Sequence, residues 1–397
     1  MKLKGLDIIV VGGGIGGLAA ALALARRGAE VRVLERSPAL EEVGAGLQIS
    51  PNGVAVLAAL GLAEAAARVA NVPEAVELRN GRSGALVARL PLGATIERRH
   101  GHPYWQFHRA DLLDVLAAAV RSRGVYVRLG AEVANISETA EAVHVGLDDG
   151  SNLTADCVVA ADGVRSFVRS ALFHGPEARF TGQVAWRGLV DAGMLPAGTV
   201  ANAATVFMGP RRHLVAYPLR GGSVINVAAF EERAAWTAEG WTHAENPENL
   251  RRAFSGWGRA VSALLEAVDQ TFLWGLFDHP VLPRWALKRV ALLGDACHPM
   301  LPYLAQGATM ALEDAWVLAC SLAQARDVAD GLVSYARKRK PRATRVQQAA
   351  RTNARVYHAR APLALPLHLG LGAVSRLAPG LLLGKFDWLY GRDVTAQ

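Results

Sequence analysis

Ile8 to Val11 is an unbroken apolar run of strand length. A glycine cluster follows, then an Ala/Leu-rich stretch of helical length to about Arg27, with Gly28 as its stop. Val31 to Leu34 repeats the strand signature, so the chain opens as strand, tight turn, helix, strand. Ser50-Pro51 reads as an N-cap with proline at the first helical position, and Gly61 closes that helix, which places Gln48 in the preceding turn. Asp111–Ser122 predicts a helix and Val125–Leu129 a strand, while Val143–Leu147 followed by Asp149-Gly150 begins an antiparallel hairpin. Between about Ala178 and Leu282 the helical period fades and alternation takes over in Thr181–Val190, His213–Leu219 and Ser223–Phe230. Arg289–Leu293 predicts a buried strand and Ala308–Ala325 a long helix.

This order predicts an α/β protein: a Rossmann-like nucleotide domain with an inserted, sheet-rich substrate domain and C-terminal helices. The expected boundaries are 1–75, 101–177 and 283–345 for the nucleotide domain, 76–100 and 178–282 for the substrate domain, and 346–397 for the helical segment. A chain of 397 residues has material for two coupled domains. Ile8–Ala25 carries no charge over 18 residues, close to membrane-helix length, but five glycines interrupt it. Pro362, Pro366, Arg376 and Pro379 break the apolar stretch Ala361–Gly384, which is expected to pack as short helices rather than span a membrane.

The net charge of +8 is local, because Gly331–Arg360 holds nine Lys/Arg and no acid. With few aromatics interleaved, this run, including Arg337, Lys338, Arg339, Lys340, Arg342 and Arg345, reads as a solvated helix face and not as a nucleic-acid surface. Cys157, Cys297 and Cys320 have neither metal-ligand nor disulfide spacing, so no metal is expected and a reducing cytoplasm suits the chain.

The first glycines carry chemistry. Gly12, Gly14 and Gly17 permit a sharp turn, close approach of backbone to a pyrophosphate, and tight helix-on-strand packing. Glu35 stands at the end of the next strand, where a carboxylate accepts bonds from an adenosine ribose. Together these make a dinucleotide half-site, with NAD and FAD both open at this point.

Three separated segments bring in a family: GGGIGG with Glu35-Arg36, Asp156 to Ser166 (DCVVAADGVRS), and Gly294-Asp295 leading into HPMLPYLAQGA. The chain resembles the class A flavoprotein monooxygenases. VGAGLQISPNG, FHRADLL, AWRGLV, HLVAYPL and FDWLYGRDVT make it most similar to their single-component salicylate and 3-hydroxybenzoate hydroxylase group. The resemblance implies the p-hydroxybenzoate hydroxylase-like fold, FAD as cofactor, and NADH or NADPH as cosubstrate. It implies that Gly12, Gly14, Gly17, Glu35, Arg36 and Gln48 contact FAD, with Arg109 at its phosphate or ribose region and Asp295 on its ribityl chain. Asp162, with Gly163, is implied to link the FAD site to the docking path of the nicotinamide.

In the second signature, Pro299 and Pro302 stiffen the loop, and Gly307 lets backbone approach a flat ring where the helix from Ala308 begins. Amides of Gly307 and Ala308 would then stabilise negative charge on the reduced flavin. Met300, Leu301 and Leu304 suit a dry wall. His298 is expected to be structural. If Gly221-Gly222 is a two-residue turn, His213, Val215, Tyr217 and Leu219 share a face with Phe230, Ala228, Asn226 and Val224. Apolar walls there would hold an aromatic ring, with His213 and Tyr217 acting on its hydroxyl. His213 matches the imidazole that acts on the phenol in 3-hydroxybenzoate hydroxylases, and an ordinary imidazole pKa near 6.5 would suit the task.

One departure bears on substrate. Pro302 precedes Tyr303 where 3-hydroxybenzoate hydroxylases carry glutamine, and a neighbouring hydroxynicotinate-type group carries histidine at Tyr303's place. Tyr303 is kept as a third residue for substrate or flavin. The expected reaction is hydroxylation of a small aromatic substrate by O2 and NAD(P)H through a flavin C4a-hydroperoxide. The alternatives are action on a hydroxypyridine ring, an NAD-dependent dehydrogenase using the first signature alone, and a flavin-bearing regulatory protein. Monomer and homodimer both remain open.

Overall fold

The computed structural model describes residues 3–40, 46–236, 243–358, 362 and 364–396. Val43–Ala45 of the VGAGLQISPNG segment, together with Arg360 and Ala361, lie outside the described residues. Among those described, a five-stranded parallel sheet runs in the order Val290–Leu292, Cys157–Ala160, Asp7–Val11, Glu30–Leu34, Tyr126–Arg128. Its central strand is apolar because both faces are covered, as parallel sheets require. The Ile15–Ala25 helix covers it and packs against the Gly307–Gln324 helix, their Leu18, Leu22, Leu312 and Leu318 sharing one core. A three-stranded antiparallel sheet, Val133–Glu138, Val143–Leu147 and Asn152–Ala155, contains the expected hairpin.

The second large sheet has eight strands, with Arg179–Asp191 between Thr271–Asp278 and Val224–Glu232. Arg212–Leu219 and Ala203–Gly209 follow, and Ala75–Asn80 and Leu86–Pro91 complete it from far back in the chain. The Arg212–Leu219 and Val224–Glu232 strands pair as expected, His213 opposite Phe230 and Tyr217 opposite Asn226. Their connection is longer than a two-residue turn: Leu219 and Val224 are the last pair, and Arg220–Ser223 form the loop. The added residues leave the register unchanged because both ends extend by one.

Gln48 is not in a turn. Gly46–Ile49 forms a strand paired antiparallel with Trp105–His108, Gln48 opposite Gln106. Four residues ending at an N-cap are too few for periodicity to reveal a strand, and the partner lies more than fifty residues away.

The basic run also departs from expectation. It lies on the Val328–Tyr357 helix, where Arg337, Lys338 and Arg345 are exposed. Arg339, by contrast, is 1% exposed, and Arg342 turns inward one helical turn later. Arg339 bonds Asp314 Oδ1 at 2.6 Å and also pairs with Glu313, and Arg342 donates to both oxygens of Glu313 at 2.7 Å. Asn52 Nδ2 adds a bond of 2.7 Å to Glu313. Two adjacent buried carboxylates demand cations, so helical spacing brought part of the run into the interior. The C-terminal stretch forms the helices Ala364–Leu377, Pro379–Gly384 and Asp387–Tyr390. Among the described residues no helix is long and apolar enough to cross a membrane.

Candidate active site

A cavity of about 1000 Å³ runs from the glycine turn at the parallel sheet to the inner face of the eight-stranded sheet. That is the upper end of the range for small-molecule sites. Gly12, Gly14, Glu35, Arg36, Gln48, Arg109, Asp162, Asp295, Gly307, Ala308, His213, Tyr217 and Tyr303 all line it. Gly17 does not, and acts one layer beneath.

At one end the turn is fixed by close contacts. Gly12 has φ +105°, and a Cβ there would stand 2.4 Å from the Ala161 carbonyl oxygen. A Cβ on Gly17 would stand 1.9 Å from the Gly12 carbonyl oxygen. Gly14 caps the helix without a side-chain bond, and no acid stands in its first turn, so its opening amides face the cavity end as an anion site. Glu35 accepts from the Gly13 amide at 2.6 Å and the Ser37 amide at 2.9 Å, which holds its carboxylate at the strand end with lone pairs remaining for ribose hydroxyls.

Midway, Arg109 and Asp295 face each other electrostatically. Burial lowers the Arg109 pKa and raises that of Asp295, and each charge partly offsets the other's shift. Asp162 accepts from the Val168 amide at 3.2 Å through one oxygen, while its other oxygen is buried without a hydrogen-bond partner among the described residues. Burial raises its pKa. Gln48 accepts from the Tyr104 hydroxyl at 2.7 Å, and Asn226 accepts from the Gly46 amide at 2.7 Å, tying the short strand to the large sheet.

The second signature forms the opposite wall. The Gly307–Gln324 helix starts without a side-chain cap or an acid in its first turn, so amides at Gly307 and Ala308 face the cavity at a helix N-terminus. The loop before it is anchored from behind. His298 Nε2 lies 2.5 Å from Asp314 Oδ2, its ring 5.1 Å from that of Trp285, and Gln347 donates to the Pro299 carbonyl at 2.8 Å. His298 is thus a support, and it does not line the cavity.

At the far end the sheet gathers aromatics. The His213 ring stacks on Phe230 at 4.4 Å and lies 5.6 Å from Tyr303 and 5.1 Å from Tyr357. The Tyr303 hydroxyl donates to Gln183. His213 is 1% exposed, and burial, then the neighbouring His358, holds its pKa well below 6.5. The expectation of an ordinary imidazole is therefore corrected: three neighbouring aromatic rings and His358 desolvate and disfavour its charged form. Burial likewise pushes Tyr217 and Tyr303 up, so both are neutral phenols.

Sequence reasoning missed Arg187 and His358. Arg187 sits in AWRGLV, lines the cavity, and lies over the Trp274 ring at 4.3 Å. Burial pulls its pKa down to about 10. Its place in a strand of alternating apolar residues was the available signal. His358 had none, being brought to His213 only by the turn after a long helix.

Residues 5–350 match the model of the FAD binding domain family. The chain belongs to the FAD binding domain family of flavin hydroxylases. This flavin hydroxylase is 38% identical over 395 residues to the 3-amino-4-hydroxybenzoate 2-monooxygenase of Streptomyces platensis, covering 97% of this chain and 95% of that one. It is 35% identical over 393 residues to 3-hydroxybenzoate 6-hydroxylase 1 of Aquipseudomonas alcaligenes, covering 98% and 99%. Its fold matches that of Klebsiella pneumoniae HpxO, solved with FAD and uric acid, with a TM-score of 0.84, 30% identity, and coverage of 96% and 97%. The flavin hydroxylase is an FAD-dependent monooxygenase, and a dehydrogenase built on the first signature alone is not favoured. Its residues fit FAD: a glycine turn closed to side chains, a held carboxylate, a buried Asp162 oxygen without a partner among the described residues, and a second open helix N-terminus face one continuous cavity.

Proposed function

We propose that the protein is a single-component monooxygenase that hydroxylates a phenolic aromatic acid with NAD(P)H and O2. The observation that carries this is the continuity of the cavity from the glycine cradle to a pocket holding an imidazole, phenols and a guanidinium. FAD, when bound, supplies reduction by the nicotinamide and activation of O2.

Gly12, Gly14, Gly17, Glu35 and Arg36 would hold its adenosine and pyrophosphate end. Arg109, Asp295, Gln48 and Asp162 would hold its middle, and the Gly307 and Ala308 amides would donate to negative charge at the ring. Phe230, Val215 and Ala228 form apolar walls for the substrate ring. Arg187 would bind the substrate carboxylate, since a guanidinium desolvated in a cavity wall gains most from an anionic partner. His213 would take the phenolic proton, which makes the ring more electron-rich, while Tyr217 and Tyr303 orient the hydroxyl as neutral donors.

The residue groups 1–75, 101–177 and 283–345 would act as the FAD domain, 76–100 and 178–282 as the substrate domain, and 346–397 as a helical cover. A cytoplasmic monomer or homodimer suits this reading. Relatives acting on amino-hydroxybenzoates and hydroxybenzoates favour a benzoate over a hydroxypyridine.

The test is to purify the yellow holoenzyme and follow NADH and NADPH oxidation with 3-amino-4-hydroxybenzoate, hydroxybenzoates and hydroxypyridine acids. Hydroxylated product is quantified against peroxide. Absence of product with every aromatic would refute the reading.

A further inference from the structure

His213 does not stand alone behind the pocket. Its Nδ1 lies 2.8 Å from Nε2 of His358, which directly follows the Val328–Tyr357 helix and is buried. His358 Nδ1 in turn lies 3.5 Å from Oε1 of Glu232. Glu232 ends the Val224–Glu232 strand, its side chain is 22% exposed, and its other oxygen accepts from Arg211 Nε at 2.9 Å. Three titratable side chains thus stand in succession from the cavity wall to a partly exposed carboxylate.

We propose that His358 and Glu232 form, with His213, a proton relay that carries the phenolic proton of the substrate from the cavity to solvent. This rests on the hydroxylase reading above. The carboxylate of Glu232 favours the tautomer of His358 with its proton on Nδ1, leaving Nε2 to accept from His213 Nδ1–H. That arrangement leaves the Nε2 lone pair of His213 as the base.

The transfer balances without any external reagent. The substrate O–H bond breaks as N–H forms at His213 Nε2. The Nδ1 proton of His213 passes to His358 Nε2, the Nδ1 proton of His358 passes to Glu232, and Glu232 exchanges with water. The relay answers a difficulty of the pocket: burial makes His213 a poor resting place for positive charge. A base so desolvated deprotonates a phenol effectively only if its own second proton leaves in the same movement. His213 is the catalytic residue in this scheme, and His358 and Glu232 are positioning and relay residues.

The experiment uses the FAD-loaded enzyme with 3-amino-4-hydroxybenzoate, or the phenolic acid of the panel that it turns over fastest. Phenolate formation is read from the ultraviolet difference spectrum on substrate binding, and hydroxylation from single-turnover kinetics in H2O and D2O. His358→Gln retains hydrogen bonding but cannot pass a proton, and Glu232→Gln retains shape at a partly exposed position. Each should lower both the phenolate signal and the hydroxylation rate by about 10-fold and alter the solvent isotope effect, with substrate Kd changed by less than about 3-fold. Glu232→Asp should recover part of the rate.

Wild-type phenolate formation, rate and isotope effect in both glutamine variants, alongside an inactive His213→Ala, would overturn the relay and leave the hydroxylase reading intact. Failure of the wild-type enzyme to hydroxylate any phenol would overturn both. Flavin content and thermal melting of each variant separate these outcomes from misfolding.

Discussion

The two ends of the cavity are built from different material. At the nucleotide end, backbone does the work: Gly12 and Gly17 leave no space for a Cβ, and the Gly13 amide of the glycine turn meets the Glu35 carboxylate. At the proposed substrate end the lining is largely side chains, and His213, Tyr217, Tyr303 and Arg187 are all shifted by burial. Backbone geometry is intolerant, so the nucleotide end has one solution. Side-chain lining is replaceable residue by residue, so substrate choice can change on a constant fold.

The sharpest test of this contrast is Gly17→Ala. Its methyl group would overlap the Gly12 carbonyl oxygen, so bound flavin should fall by more than about 100-fold in affinity, read by FAD titration of the apoprotein. Retention of FAD at wild-type affinity would remove the backbone argument.

Next in size is His213→Ala. Hydroxylation should drop by about 100-fold, the scale of a lost general base, with FAD affinity unchanged. Equal hydroxylation rates would place the base elsewhere.

Arg187→Gln should weaken binding of benzoate substrates by about 30-fold, or about 2 kcal/mol, while leaving phenols without a carboxylate little affected. Comparing binding of the two classes separates carboxylate recognition from general packing.

The smallest effect lies beneath the flavin loop and spreads over pH. Burial alone would raise the Asp314 pKa, but His298 and then Arg339 hold it down to about 2. A folded value below the unfolded one contributes stability above about pH 4, which is lost as pH falls through about 2. The contribution is at most about 2 kcal/mol and should appear as a falling thermal midpoint between pH 5 and pH 2. Arg339→Met should flatten that slope, and an unchanged slope would show that the cluster does not hold the acid down.

By itself the sequence determined the opening strand, turn and helix, the Glu35 position, the pairing of His213 with Phe230, and, to within a residue, the long helix expected from Ala308 and found at Gly307–Gln324. These are local: apolar period and glycine placement operate within a few residues, and a hairpin carries its register across a short loop. Only tertiary structure decided that Gln48 lies in a strand, that Arg339 and Arg342 leave the solvent to neutralise Glu313 and Asp314, and that His213 loses its ordinary pKa against Phe230, Tyr303 and His358. Each depends on a partner distant in sequence. Burial and charge pairing follow from what surrounds a residue in space, and no window along the chain contains that.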